Sequence, residues 1–302
     1  MIFTKKDNLI IIGAGNISYS LAPALMDAGY NIKSIISSKK KRAGDLAGKL
    51  NIKDFSDNPE SLKVKRGIFI LAVPDNQIRI TAEKLSTLNI DFPNSLIIHL
   101  SGSNDVSLLK SAALKRAHTA SFHILQTFPS RRRRNISNSF SAIETLSSEA
   151  SDYLFKLSKD LKLNPFHIDS GNKVIYHLAA VFASNFINAV LFQSQQLFEM
   201  LRLKEYSFND IFAPLYSSTI KNIKLTNPSR ALSGPIERGD LETIKKHIRE
   251  IKRISDKKPD ILLSYLSLSL SLIDASIVKS GKLHSSHTEI RELLVNELSK
   301  FK

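Results

Sequence analysis

Two glycines near the amino terminus stand at the spacing of a phosphate-binding turn. Gly13 and Gly15 follow the apolar run Leu9–Ile12 and precede a segment with helical periodicity. Such glycines let the chain turn sharply off a strand and let its backbone approach a pyrophosphate, whose charge the first amides of the next helix then hold. The third glycine of the pattern is replaced by Ser18, which is small enough for the helix–strand packing required there. We therefore predict pyrophosphate contacts at Gly13, Gly15, Asn16 and Ile17.

The residues that follow the second predicted strand bear on which dinucleotide would bind. Domains that prefer NAD carry an Asp or Glu about 20 residues after the turn, where it binds the ribose 2′-hydroxyl. Here the chain reads SSKKKR from Ser37 to Arg42, with no acidic residue. Hydroxyls and cations suit a 2′-phosphate, so we predict NADP(H) rather than NAD(H), with contacts at Ser37, Ser38 and Lys39. A solvated, basic start of a helix is the alternative interpretation.

Polar side chains follow three further apolar runs of the first half. The carboxyl ends of parallel strands meet at one edge of an open α/β sheet, and ligands bind there. Asp75 also lies at such an end, but capping of the next helix explains an aspartate at this position better than ligand contact does. We predict cofactor contacts at Val73, Pro74 and Ser101 and substrate contacts at His123 and Gln126.

One segment of the second half carries groups that could move a proton. Lys173, His177, Ser184 and Asn188 fall on one face at the helical period, and Asn185 lies beside it. Hydride transfer to a carbonyl or imine requires a proton for the developing anion, and a lysine or histidine can supply it. The alternative is structural, because the same polar groups could satisfy helix–helix contacts.

The elements that must position these residues change character along the chain. Up to residue 170, short apolar runs alternate with helically periodic segments, which predicts βαβ units and a Rossmann-type parallel sheet. From residue 171 to residue 302, long periodic segments predict an all-α domain. The predicted strands are Leu9–Ile12, Ile32–Ser37, Ile68–Val73, Leu96–Leu100, Ala120–Leu125 and Asn164–Ile168. The predicted helices of the second half are Asn172–Leu203, Phe208–Leu225, Leu241–Ser255, Asp260–Lys279 and His287–Lys300.

Composition narrows the class of partner. The 302 residues include 43 Lys and Arg against 28 Asp and Glu, a net charge of +15, which attracts polyanions. The lysines are scattered, and the cluster Arg131–Arg134 has no aromatic residues interleaved with it, so we do not expect nucleic acid as the partner. The absence of cysteine excludes thiolate metal sites and fits a cytoplasmic protein. The uncharged segment Val174–Phe198 carries too many amides for a lipid-facing helix, so we expect no membrane span. No His-x-x-x-His pair or carboxylate–histidine cluster occurs in the sequence outside Ser285–Glu289, so we expect no metal centre.

Six short motifs resemble one known family. GAGNISYSLA, FILAVPDNQI, IIHLSGS and HILQTF, followed by KVIYHLAAVFASN and GPIERGD, occur in the order found in proteins that join a Rossmann-like domain to a domain of unassigned function, DUF2520. That family lies in the superfamily of 6-phosphogluconate and β-hydroxyacid dehydrogenases, pyrroline-5-carboxylate reductase and F420-dependent NADP reductases. Two departures are Ser18 in place of a glycine and Ile124 in place of a proline.

The resemblance implies an α/β dinucleotide-binding domain at residues 1–170 and an all-helical substrate and dimerisation domain, similar to the 6-phosphogluconate dehydrogenase C-terminal domain, at residues 171–302. It also implies a cleft site in which Lys173 and Asn185 deliver the proton, with His177 as the competing acid. The predicted function is an NADP(H)-dependent oxidoreductase, a homodimer, that transfers a hydride to or from a small polar carbonyl, hydroxyl or imine. The alternative is a catalytically silent NADP(H)-binding sensor or scaffold.

Overall fold

The first of two compact units, Met1–Ile187, is built around one β-sheet. The computed structural model describes residues 2–255 and 258–301, and the second unit is Asn188–Lys302. The strands of the sheet are β1 (Leu9–Ile12), β2 (Ile32–Ile36), β3 (Asp54–Ser56), β4 (Ile68–Leu71), β5 (Leu96–His99), β6 (His118–Leu125), β7 (Phe140–Glu144) and β8 (Asn164–His167). They lie in the order β3-β2-β1-β4-β5-β6-β7-β8, and all neighbours are parallel except β6 and β7. The predicted α/β class with a Rossmann-type sheet is confirmed.

The central strands are those that the apolar runs predict. Every residue of β1, β4 and β5 is buried. Leu9 and Ile11 join the apolar cluster on one face of the sheet, and Ile10 and Ile12 join the cluster on the other face. Parallel strands that are buried on both faces have continuous apolar sequences, which is why they could be recognised.

Two strands have no counterpart in the predictions. β3 has only three residues and is the end strand of the sheet, so it carries no apolar run. β7 reads FSAIE and pairs antiparallel with β6, bringing Ala142 opposite His123 and Glu144 opposite Ser121. Antiparallel pairing is not expected from the βαβ pattern, and this strand supplies an acidic residue to the site described below.

The helices flank the sheet in the first unit and form the second unit. In chain order they are α1 (Ser18–Asp27), α2 (Lys40–Lys49), α3 (Asp75–Ser86), α4 (Lys110–Ala113), α5 (Ser148–Asp160), α6 (Lys173–Ala183), α7 (Asn185–Glu199), α8 (Phe208–Leu225), α9 (Leu241–Ser255), α10 (Pro259–Ser280) and α11 (Ser285–Leu298). In the second unit, Ile244, Ile248 and Ile251 of α9 recur at helical spacing and pack with α10 and α11 in one apolar cluster.

The single helix predicted over Asn172–Leu203 is wrong. α6 ends at Ala183 and α7 begins at Asn185, because Ser184 has φ −136° and ψ −66°, outside the helical region. Serine and asparagine bond readily to nearby backbone groups and are therefore weak helix formers. The helical face drawn through Lys173 and Asn188 is accordingly interrupted between them.

The other helices predicted for the second half are confirmed within two residues of their ends, among them the segment LSYLSLSLSLI, which lies inside α10. Pro259 occupies the first position of α10, and Gly281 ends it in the left-handed conformation with φ 72°. α6 is part of the first compact unit, and the domain boundary expected after residue 170 stays a prediction.

Two stretches of the described chain are apolar and long enough to cross a membrane by length and composition alone. They are Ser170–Glu199, with mean hydropathy 1.6, and Pro259–Ser280, with mean hydropathy 1.9. The first comprises α6 and α7 with the break at Ser184, and none of its apolar window is buried. The core helix of a protein that never enters a membrane passes the same test, so the expectation of no membrane span stays a prediction.

Candidate functional site

The turn after β1 has the geometry of a phosphate cradle. Gly13 has φ 116°, and a Cβ there would lie 2.1 Å from the carbonyl oxygen of Ala72, so only glycine fits. A Cβ at Gly15 would meet its nearest atom, again the Ala72 oxygen, only at 3.8 Å. The protein itself therefore leaves the space over Gly15 open, which is where a pyrophosphate would approach the backbone.

The serine that replaces the third glycine closes the same turn. Ser18 is fully buried at the first position of α1, and its Oγ donates to the carbonyl oxygen of Gly13 at 2.6 Å. The hydroxyl thus bonds within the turn. The groups that this helix start offers to an anion are the amides that precede α1, among them those of Asn16 and Ile17. The side chain of Asn16 donates instead to the carbonyl oxygen of Phe128, at 2.7 Å.

The residues of the basic run after β2 differ in their burial. Ser37 is buried, and its amide donates to Ser56 O at 3.0 Å, so it extends the sheet. Ser38 and Lys39 are exposed, and α2 begins just after them with no side-chain cap and no acidic residue in its first turn. This helix start has exposed hydroxyl and ammonium groups beside its amides, as a phosphate site requires.

Asp75 does not cap α3, which corrects the duty predicted for it. The cap position is Pro74, and Asp75 is itself the first helical residue, so no side-chain cap forms. Its Oδ2 accepts from Ser101 Oγ at 2.7 Å and from Asn104 Nδ2 at 3.0 Å. Asp75 thereby ties the start of α3 to the loop after β5, beside the half-buried Val73.

Lys173, the first residue of α6, is buried to 1% exposure beneath the strand ends. Its Nζ donates to Ser101 O at 3.3 Å and, in a short contact, to Ser121 Oγ. It also forms an ion pair with Glu144 Oε2 at 3.5 Å, and that glutamate is only 5% exposed. Burial lowers the pKa of Lys173, and the charge of Glu144 opposes this shift. The predicted proton donor is therefore an internal cation, enclosed by protein groups.

The other oxygen of Glu144 is also occupied. Oε1 accepts from Ser170 Oγ at 2.6 Å and from the amide of Val106 at 3.1 Å. One carboxylate from β7 thus joins the segment before α6 to the loop after β5. Sequence reasoning missed Glu144 because the strand that carries it has no apolar run.

His99 completes the buried network without carrying charge. The amide of Ser101 donates to its Nδ1 at 3.2 Å, so Nε2 holds the proton and donates to Asp105 O at 3.1 Å. Burial lowers the pKa of His99 to about 4, and the nearby Lys173 ammonium adds to the shift. The loop between His99 and Asp105 is held at both ends by this neutral imidazole.

Two imidazoles converge above Gly102, in the middle of that loop. A Cβ at Gly102 would lie 2.8 Å from His177 Nδ1 and 2.9 Å from His123 Nε2, so a side chain there would collide with both rings. The ring centroids are 6.1 Å apart and the planes are nearly perpendicular, at 80°. His177 Nδ1 is buried and has no hydrogen-bond partner among the described residues. A buried imidazole nitrogen with no hydrogen-bond partner is a group expected to meet a ligand.

His123 is held by Tyr176, a residue that sequence reasoning also missed. Their hydrogen bond joins His123 Nδ1 and the Tyr176 hydroxyl at 2.8 Å. Burial lowers the pKa of His123 to about 4, with the neighbouring His177 and Lys173 adding to the effect. Burial also raises the pKa of Tyr176 to about 12. Both partners are neutral near pH 7, so His123 presents an uncharged Nε2 to Gly102.

The structure does not bring the remaining predicted residues to this place. Gln126 is exposed, with Oε1 accepting from the amide of Thr127 at 2.8 Å and Nε2 donating to Ser139 Oγ at 3.3 Å. Asn185 is exposed at the start of α7, beyond the break at Ser184. The site assembled within the first unit therefore comprises His177 and His123 over Gly102, with Lys173 buried one helical turn before His177.

Two family models match the chain. Residues 8–100 match the family described as NADP oxidoreductase coenzyme F420-dependent, and residues 139–272 match DUF2520, a domain of unknown function. The first spans the glycine turn and the second spans Glu144 and His177. No curated protein matches the sequence.

Solved structures share the fold over nearly the whole chain. A Bacteroides fragilis protein described as a candidate NADP oxidoreductase is 26% identical with a TM-score of 0.75, over 91% of this chain and 100% of that one. Protein TM1727 from Thermotoga maritima is 24% identical with a TM-score of 0.68, over 90% and 99%. A reductive aminase from Aspergillus terreus, in complex with NADPH and ethyl-5-oxohexanoate, is 11% identical with a TM-score of 0.57, over 98% and 94%.

The family and structural matches support a pyridine-nucleotide-dependent oxidoreductase. They confirm the resemblance drawn from the motifs: the two family models match the chain in the predicted order, and the solved neighbours share its Rossmann-like fold.

Proposed function

We propose that the protein is an NADP(H)-dependent oxidoreductase that reduces a small polar carbonyl or imine, or oxidises the corresponding alcohol or amine, with His177 as the proton-transfer residue. The observation that carries the proposal is the pair of imidazole nitrogens that meet over Gly102, on the same sheet edge as the Gly13–Gly15 turn. The match of residues 8–100 to an NADP oxidoreductase family supports the choice of cofactor class.

Each residue has a role that follows from its surroundings. When bound, the cofactor supplies or accepts the hydride. His177 Nδ1 holds or takes the proton at the substrate oxygen or nitrogen, since no group among the described residues bonds to that atom. His123 Nε2, neutral and fixed by Tyr176, orients the same substrate group. Lys173 and Glu144 hold the loop and the helix on which these groups stand.

The 2′-phosphate assignment predicts a change of cofactor preference on reversing one charge. Lys39→Glu places a carboxylate at the exposed start of α2, where it repels a 2′-phosphate and can accept a bond from a ribose hydroxyl. We expect about a tenfold loss of NADPH affinity, the usual size of a lost charge-assisted contact, with NADH affinity unchanged or improved. Calorimetric titration of each protein with NADPH and NADH measures both.

Lys33→Glu is the matched control for this variant, because Lys33 is exposed near the start of β2, at the end of the strand away from Lys39. It should leave both affinities unchanged. Failure of the unaltered protein to bind either dinucleotide would overturn the proposed function. Equal losses for NADPH and NADH in Lys39→Glu would instead favour the solvated helix start.

We also propose that the protein works in the cytoplasm as a homodimer. In this dimer, a second copy of the chain covers the apolar side chains exposed on α6 and α7. Val174 is 68% exposed, Phe182 60% and Phe192 59%, far more apolar surface than a lone chain usually presents. The resemblance to a family with a dimerising helical domain supports this partner. We expect the protein to purify without detergent at twice the mass of one chain in light scattering. A monomer, or a protein extracted only with detergent, would contradict the proposal.

A further inference from the structure

A loop that contains four consecutive arginines is attached directly to the glycine turn. The arginine loop, residues 127–134, leaves β6 and crosses the start of α1. Asn16 Nδ2 donates to Phe128 O at 2.7 Å, next to Gly15 in sequence. Farther along, the amide of Arg134 donates to Ser20 Oγ at 3.0 Å, in the first turn of α1. These two bonds hold the loop beside the amides that would receive a pyrophosphate.

The four guanidinium groups of the arginine loop do not have the same partners. All four residues are exposed. Arg133 forms an ion pair with Asp27 at the last position of α1, so its charge is already compensated. The charge of Arg131 acts on Tyr19, the second residue of α1, and so does the charge of Arg42 of the basic run. Burial raises the pKa of Tyr19, the charge of Asp45 adds to this, and Arg131 and Arg42 oppose it.

Cations from two separate segments, the arginine loop and the start of α2, act on the same residue of α1, Tyr19. Arg42 belongs to the first turn of α2, directly after the exposed Ser38 and Lys39. Arg131 comes from the far side of the turn, across the start of α1, where the contacts of Phe128 and Arg134 hold its loop. A phosphate monoester carries up to two negative charges, and the planar guanidinium binds it with two parallel hydrogen bonds.

We propose that Arg131 completes the 2′-phosphate site of the bound dinucleotide, acting from the arginine loop opposite Arg42. This inference rests on the proposed function, since it assigns a further residue to the same cofactor. It also gives an anionic ligand to one of the cations of a chain whose net charge of +15 attracts anions. Binding of the phosphate then holds the loop more firmly beside the glycine turn, since Phe128, which bonds to Asn16, and Arg131 are three residues apart in one connection.

The test compares two arginines of the same loop. Arg131→Gln and Arg133→Gln make the same change of charge, but Arg133 is paired with Asp27, whereas Arg131 has no carboxylate in an ion pair with it among the described residues. We expect Arg131→Gln to lose about tenfold in NADPH affinity with a smaller salt dependence, and to bind NADH as the unaltered protein does. Arg133→Gln should match the unaltered protein for both dinucleotides. Calorimetric titration at low and moderate salt gives the four affinities.

Limited trypsin digestion supplies a second readout that needs no substrate. The exposed arginine loop should be cut readily in the free protein and protected by saturating NADPH more than by saturating NADH. Unchanged NADPH affinity in Arg131→Gln, or equal loss for both dinucleotides, overturns the role of Arg131 while leaving the proposed function intact. Binding of neither dinucleotide by the unaltered protein overturns both.

Discussion

Replacing His177 with glutamine should lower turnover by about 10²- to 10⁴-fold, the range usually contributed by a positioned general acid or base. Glutamine is close to histidine in size and keeps hydrogen-bonding groups, but it cannot exchange a proton near neutral pH. Nδ1 of His177 has no partner within the described chain, so the substitution breaks no internal hydrogen bond at that atom. NADPH affinity and thermal stability should therefore stay close to those of the unaltered protein. Single-turnover oxidation of NADPH, followed at its absorbance maximum with a panel of small carbonyls and imines, measures the effect.

His167→Gln is the matched control, because His167 lies on β8 at the far end of the sheet and packs against Phe155 instead of Gly102. It should keep full turnover. An active His177→Gln protein would show that the proton comes from elsewhere. Joint loss of folding and of NADPH binding would support a structural role for this helix. An unaltered protein that binds NADPH but oxidises it with no substrate of the panel would favour the silent sensor or scaffold.

Gly102→Ala tests whether the reaction needs the two imidazoles in their present positions. A Cβ at this position must displace the His177 and His123 rings, which approach it to 2.8 and 2.9 Å. Turnover should fall although neither imidazole has been removed, and NADPH affinity measured beside it should change less. Normal turnover in this variant would mean that the convergence of the rings is not used in the reaction.

The elements of the fold that could be predicted are those whose own residues show their conformation or burial. The glycine turn is readable because Gly13 needs a positive φ, and strands such as β1 and β4 are readable because burial on both faces makes them continuously apolar. β7 is stabilised by its antiparallel pairing with β6, a non-local contact that leaves no pattern in FSAIE. The break at Ser184 is likewise invisible to a period that continues on both sides of it.

The difference between local patterns and long-range contacts also determines how much of the candidate site could be predicted. Helical spacing correctly placed Lys173 and His177 on one face of α6, one turn apart. It could not show which of them is enclosed, because enclosure of Lys173 depends on Glu144 from the unpredicted strand and on Ser121 from β6. Tyr176 was missed because it contributes to the site through its hydrogen bond to His123, which lies 53 positions away in the chain.

Lys173→Met should therefore act on stability first. Methionine fills a similar volume but leaves Glu144 buried without its counter-charge, and loss of one partner of a buried ion pair costs about 3–5 kcal/mol in the free energy of unfolding. Ser121 and the carbonyl of Ser101 lose their donor as well. Urea denaturation of the purified variant measures the loss. Lys156→Met, at an exposed position of α5, is the control and should change stability by no more than about 0.5 kcal/mol.

The double variant Lys173→Met with Glu144→Gln separates the two roles considered for the lysine. Removing both charges abolishes the uncompensated carboxylate, so stability should recover in part, and Gln can still accept bonds from Ser170 and Val106. If Lys173 only holds the site together, turnover should recover along with stability, because His177 is intact. If Lys173 is itself the proton donor, the double variant should regain stability and bind NADPH but stay inactive. The buried geometry of the ammonium leads us to expect the first outcome: its charge serves to fix the loop around Gly102, and the proton moves at the imidazole one turn further along α6.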